Sequence, residues 1–179
     1  MRSANEAMLT IVLGALGVYF SVLNGRSLWR YAQFRRVRPT AVLTWPVPRP
    51  PHFPFLILLG LASGAVAALN GYLDRPLHHV FSQAVMALYF ILMVPLSARI
   101  HFGFYRDGIW GDAGFLPYGD IKRMAFLETP AIVLVLLPRG GSRPVRLPVP
   151  PGEYGAVRKL LEEKKREGVM QTQERILGL

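Results

Sequence analysis

The amino-acid sequence predicts an α-helical membrane protein with three transmembrane helices and a small α+β domain at its C-terminal end. Three long apolar runs without a charged residue lie within the first hundred positions. Beyond residue 100 the pattern changes to short alternating segments separated by turns, followed by one amphipathic helix. Charged residues make up only 18% of the chain, against roughly 25% in an average soluble domain.

The three apolar runs set the limits of the membrane domain, residues 1–100. A span needs about 20 helical residues, so we place transmembrane helices at about 8–28, 53–72 and 80–98. Because Glu6 precedes the first run and no small-residue cleavage site follows it, we interpret that run as a retained helix and not as a signal peptide.

The distribution of arginine predicts the orientation in a cell inner membrane. The loop 24–52 contains no acidic residue but six arginines, whereas the other side offers only Arg2 and Arg75. Short loops rich in Lys and Arg mark the cytoplasmic face. We therefore expect the N-terminus outside and the C-terminal domain in the cytoplasm.

The loop 24–52 divides into a basic and a proline-rich part. In the basic segment, Arg26–Arg38, arginines alternate with apolar and aromatic residues. This pattern predicts a helix at headgroup level, where each arginine gains about 1 kcal/mol from an anionic surface. The stretch Pro39–Pro54 holds six prolines and predicts a stiff extended connector, neither helix nor central strand. The candidate lipid-binding residues are Arg26, Arg30, Arg35, Arg36 and Arg38.

Small residues recur along the second apolar run. Gly60 and Gly64 are four positions apart, a spacing that lets two helix backbones approach closely. The contact is either intramolecular, with the first or third helix, or a dimer interface. The candidate packing residues are Gly60, Gly64, Ala67 and Gly71.

Residues 101–168 carry the signals of a small α+β domain, with 169–179 as a tail. His101–Tyr105 alternates like a strand, and Asp107-Gly108 marks a hairpin turn before Ile109-Trp110. Two β-favouring segments and a helix with Gly168 as its C-cap follow. These later elements are predicted at Ala131–Leu137, Pro144–Val149 and Gly152–Glu167.

This order of elements resembles the bacterial pleckstrin-homology-like (PH-like) domains that are attached to membrane helices. The resemblance rests on His101-Phe-Gly-Phe-Tyr-Arg-Asp-Gly-Ile-Trp110, on Phe115-Leu-Pro-Tyr-Gly-Asp-Ile121, and on the strand, Gly-Gly turn, strand and helix of 131–167. It implies a strongly bent antiparallel sheet capped by a C-terminal helix. Such families are usually non-enzymatic and serve in scaffolding, assembly or sensing.

One similar family assembles photosynthetic complexes and also joins three membrane helices to such a domain. Nothing in this sequence places the chain in that subgroup. Phosphoinositide binding, which belongs to eukaryotic members, is not carried over, because the first hairpin turn offers only Arg106 beside Asp107.

The sequence lacks the residues that several classes of chemistry require. The chain has no cysteine, which excludes disulfides and thiolate chemistry, and it has no phosphate-loop, dinucleotide, zincin or serine-hydrolase motif. His78 and His79 lack a third metal ligand, and the apolar runs contain no ionisable residue of the kind that marks an ion pathway. We expect no catalytic residue, metal, cofactor or small-molecule substrate, and no nucleic-acid partner.

These observations predict a non-catalytic membrane scaffold or accessory subunit. Its helices bind other membrane helices and its cytoplasmic domain docks on a membrane-protein partner. The alternative is a sensor of anionic lipids that uses the basic segment. The candidate docking residues are Trp110, Phe115 and Tyr118, with Ile176 and Leu177 of the tail.

Overall fold

The computed structural model describes residues 2–141 and 143–170, which form two compact units. The helical unit is drawn from Met1–Gln33 and Pro48–Ile100, and the sheet unit from Phe34–Val47 and His101–Leu179. The chain therefore passes between the units three times. The tail residues Ile176 and Leu177 lie outside the described part of the chain.

Three helical segments are long and apolar enough to cross a membrane. The second coincides with the predicted span 53–72. The third begins three residues before the predicted 80, and the first continues well beyond the predicted 28. The helices are α1 Arg2–Val37, α2 Phe53–Tyr72 and α3 Leu77–Leu88, which continues through a π turn, Tyr89–Met93, into α4 Val94–Ser97.

Residues 26–37 of the basic segment form the C-terminal part of α1 and not a separate helix, and Arg38 begins a short 3-10 turn, Arg38–Thr40. No proline interrupts the chain between Leu23 and Pro39, and arginine and leucine are good helix formers. Arg35 and Arg36 lie in the last turn, where the helix dipole favours positive charge. At 36 residues, α1 extends for about 54 Å at 1.5 Å per residue, well beyond the ~30 Å of a hydrocarbon core.

α1 packs against α3 through polar contacts as well as aromatic ones. Ser82 Oγ donates to the carbonyl of Leu13 at 2.8 Å, and Asn24 Nδ2 donates to the carbonyl of Val85 at 2.9 Å. The Phe20 ring lies 5.5 Å from that of Tyr89. The Ser82 hydroxyl and the Asn24 amide group thus each donate a hydrogen bond inside an apolar unit, where burying an unpaired donor costs free energy.

α2 packs against the π turn that follows α3. The turn ends next to Pro95, which has no N–H to donate, and the N–H of Val94 bonds to the carbonyl of Tyr89, five residues back. Gly60 faces this turn. A Cβ atom at Gly60 would lie 2.8 Å from Phe90 Cβ and 2.8 Å from Ile91 Cγ1, so the two backbones approach closely only because residue 60 is glycine.

The sheet unit consists of two antiparallel sheets and a C-terminal helix. The first sheet has the order β1-β2-β3-β4 and the second β5-β6-β7. Every strand predicted after residue 100 is present, with limits shifted by one or two residues. The elements are β1 Ala41–Pro46, β2 His101–Tyr105, β3 Gly108–Gly111, β4 Gly114–Pro117, β5 Ile121–Leu127, β6 Val133–Pro138, β7 Val145–Pro148 and α5 Tyr154–Arg166.

The proline-rich stretch contributes the edge strand β1, where we predicted only a connector. Among the described residues β1 pairs only with β2, which leaves its one proline, Pro46, at an edge, where a missing N–H is tolerated. At Gly103 the φ angle is +141°, and a side chain would overlap the backbone of Leu43 and Thr44. Trp45 fixes the strand further, because its Nε1 donates to the carbonyl of Pro148 at 2.9 Å.

The two sheets meet at the turn after β3. Asp112 Oδ1 accepts the backbone N–H groups of Ala113 and Arg146, each at 2.7 Å, and the N–H of Asp112 donates to the carbonyl of Arg146. Val157 and Leu161 of α5 are buried in the core of this unit. Gly168, the predicted C-cap, has a φ of +73°.

The close approach at Gly60 predicts different effects of one methyl group at two glycines of α2. Gly60→Ala overpacks the contact with the π turn that follows α3 and is expected to destabilise the helical unit by about 1–3 kcal/mol. In Gly64→Ala the new Cβ would lie 3.7 Å from Ala87 Cβ, an ordinary contact, so this control is expected to unfold like the parent. Thermal unfolding of the full chain in detergent measures both, and equal stability of the two variants would contradict the packing described.

Candidate interaction surfaces

The basic segment places its arginines on the C-terminal part of α1, except Arg38, which directly follows the helix. Arg26, Arg35, Arg36 and Arg38 are exposed, and Arg30 is half-buried. Trp29, among them, is 67% exposed, as expected of an aromatic side chain at a membrane interface. The helix thus presents cations and an aromatic ring together, the side chains that an anionic headgroup region attracts.

The four small residues proposed for helix packing do not form one interface. Gly60, Gly64 and Ala67 face α3 or are buried within the helical unit, as in the intramolecular alternative. Gly71 has nothing within 4 Å of where its Cβ would lie. Gly60 therefore packs on the π turn and Gly64 on α3, whereas Gly71 takes no part in this packing.

The aromatic residues proposed for docking are mostly core residues, which corrects that prediction. Trp110 is fully buried and Tyr118 is 1% exposed. The Trp110 ring lies 5.5 Å from Phe34 and 6.1 Å from Phe115, which is half-buried. Phe34, from the end of α1, belongs to the core of the sheet unit although it lies outside the segment 101–168. Because we considered only that segment in the sequence, we predicted that these rings would remain exposed.

Burial also determines the ionisation of the tyrosines in this core. Desolvation raises the pKa of Tyr105 to about 12, with Arg38 opposing the shift. The pKa of Tyr118 is raised further by burial and by the nearby charges of Asp107 and Glu167. Its hydroxyl donates to the carbonyl of Tyr105 at 2.9 Å. On the surface, the hydrogen bond to Glu128 raises the pKa of Tyr154.

The second sheet has an apolar outer face that the sequence analysis missed. By the strand register, one set of alternate residues points away from the core formed by Leu134, Leu136 and Leu147. The sequence carried a signal for this face in the continuous apolar run Ala131–Leu137. A strand with one face in water alternates apolar and polar residues, whereas a continuous run places apolar residues on both faces. This outer sheet face consists of Arg123, Ala125, Leu127, Val133, Val135, Leu137, Arg146 and Pro148.

The adjacent histidines lie in the first turn of α3. The rings of His78 and His79 are 4.5 Å apart, and His78 Nε2 lies 3.3 Å from Thr10 Oγ1 of α1. Within residues 2–141 and 143–170, no three His, Asp or Glu side chains are placed to hold a metal ion. The contact with Thr10 links α1 to α3.

Comparison with family models, curated proteins and solved structures found no match to this chain.

The buried tyrosines predict a loss of stability at alkaline pH. Their pKa is higher in the folded protein than in the unfolded chain, so folding keeps each tyrosine protonated at a pH at which the unfolded chain would lose the proton. The contribution of each tyrosine to the free energy of unfolding is fully present below pH ~10. It falls by about 1.4 kcal/mol per pH unit as pH rises toward 12. Tyrosinate absorbance and circular dichroism of the full chain should change together between pH 10 and 12. Tyr118→Phe removes one ionisable group and should flatten this dependence. Full ionisation of all tyrosines without loss of the β signal would contradict the prediction.

Proposed function

We propose that this protein is a non-catalytic accessory or assembly subunit of a membrane complex. Its apolar helices would bind helices of a membrane-protein partner, and its sheet unit would dock on the cytoplasmic part of that partner. The fold of the sheet unit would be PH-like, which the two antiparallel sheets and the closing helix support.

The observation that carries the proposal is the interleaving of the two units along the chain. β1 precedes α2 and α3, while β2, its hydrogen-bonded neighbour, follows them. The segment α2 to α4 is thus inserted between two hydrogen-bonded strands of the sheet unit. Such an insertion suits a scaffold that holds a partner at the membrane.

Exposed apolar side chains on the helices support the same proposal. Ile11 and Val18 of α1 are 71% and 63% exposed, and Leu58 of α2 is 62% exposed. In a bilayer such side chains face lipid or another helix, and helix association there depends on close packing. A partner helix would therefore be held by a contact that salt does not screen.

A second candidate function is the sensing of anionic lipids by the basic segment. The exposed arginines of α1 and Trp29 favour it. Attraction of this kind weakens over a Debye length of about 8 Å at physiological ionic strength. The two candidates consequently differ in their response to salt.

Extraction of native membranes in mild detergent tests the main proposal. We expect one partner to co-migrate with the chain in stoichiometric amount and to stay bound through a wash in 1 M salt, because the contact is apolar. Retention of the partner by a variant with Arg26, Arg35, Arg36 and Arg38 changed to Gln serves as the control. A chain that runs alone or only with copies of itself would overturn the proposal.

Labelling with a membrane-impermeant maleimide tests the proposed orientation. The chain has no cysteine of its own, so single variants report cleanly. Arg75→Cys, in the turn between α2 and α3, is expected to react in intact spheroplasts. Lys159→Cys, on α5, is expected to react only after permeabilisation. The reverse pattern would place the sheet unit outside the cytoplasm.

A further inference from the structure

The outer sheet face combines an apolar centre with positively charged edges. Along the central strand β6, every outward residue is apolar: Val133, Val135 and Leu137. Leu127, on β5, is 54% exposed and Leu137 is 38% exposed. In folded proteins a sheet buries its apolar face against another element, and this face is apolar at six of its eight positions.

The two charged residues of this face lie on opposite sides of β6. Arg123 is on β5, where it pairs with Leu137, and Arg146 is on β7, where it pairs with Val135. Both side chains are exposed. The nearby Asp112 already accepts two backbone N–H groups through one carboxylate oxygen. The outward residues of the three strands thus include two cations and no acidic group.

The dimensions of the face match a single helix. Neighbouring strands lie about 4.8 Å apart, so β5 and β7 are separated by ~10 Å, close to the diameter of an α-helix with its side chains. A helix lying along β6 would cover the apolar centre and place the two edges of its own apolar stripe beside Arg123 and Arg146.

We propose that the outer sheet face binds an amphipathic helix of the partner protein, with an apolar stripe on β6 and acidic residues beside Arg123 and Arg146. This inference rests on the proposed function and specifies the partner's contact. A protein helix fits better than a lipid surface, because the apolar residues of the face lie on paired strands and not on a loop that could insert between headgroups.

Site-specific cross-linking of the full chain in native membranes tests the inference. Leu137→p-benzoylphenylalanine places a photoreactive group on the face, and Val42→p-benzoylphenylalanine, on the exposed side of β1, is the matched position on the other sheet. After irradiation, mass spectrometry maps the joined peptide. We expect position 137 to join a segment with apolar residues at helical spacing and acidic residues on both sides of them, and position 42 not to join it.

A charge-reversal series completes the test. Arg123→Glu with Arg146→Glu should lower the cross-linking yield at least tenfold, whereas Arg106→Glu with Lys159→Glu, an equal charge change at exposed sites elsewhere, should leave it unchanged. Replacing the acidic residues of the mapped segment with Lys should restore the yield with the first pair. A product with lipid or with a second copy of this chain, a mapped segment without acidic residues, or no product would overturn the inference.

The outcome is separable from that of the proposed function. If a stoichiometric partner co-migrates through the high-salt wash and position 137 does not join it, the outer sheet face is not the contact and the accessory role stands. If no partner co-migrates at all, the accessory role itself fails.

Discussion

The pairing of β1 with β2 is the constraint on which the rest of the structure depends. The two strands lie side by side although α2, α3 and α4 separate them in the chain. Closing a loop of that length costs roughly 3.5 kcal/mol in chain entropy. The helices lower this cost. α2 and the segment from Leu77 to Ser97 have nearly equal lengths, 20 and 21 residues, and pack side by side, so the start of the first and the end of the second lie at the same end of the helix pair.

This pairing makes the sheet unit dependent on residues that precede the second apolar helix. Trp45 of β1 reaches the carbonyl of Pro148 on β7, and Phe34 at the end of α1 packs against Trp110. Both side chains are buried. Residues 101–168 by themselves would lack an edge strand and part of their aromatic core, so folding of this unit is coupled to the path of the chain through α2 and α3.

Two kinds of apolar surface remain after these contacts are made. Exposed side chains of α1 and α2 belong to helices apolar enough for a bilayer, where exposure carries no penalty. The outer sheet face belongs to the other unit, in which exposed Leu127 and Leu137 face water unless another element covers them. That difference is why the sheet face, and not the buried Trp110 or Tyr118, is the stronger candidate for a protein contact.

Local patterns in the sequence determined the three apolar helices, four of the six strands after residue 100 (β2, β3, β6 and β7) and the closing helix, because each depends on the composition or periodicity of neighbouring residues. Long-range contacts decided the rest. The proline-rich stretch became a strand only because β2 offers an edge, and Trp110 became core because Phe34, from the end of α1, packs against its ring. Most of the basic segment continued α1, because no proline precedes Pro39 to end the helix. A partner strand distant in sequence leaves no local signal. The apolar run Ala131–Leu137 indicated apolar residues on both faces of a strand, but only the tertiary structure showed which of the two faces was left exposed.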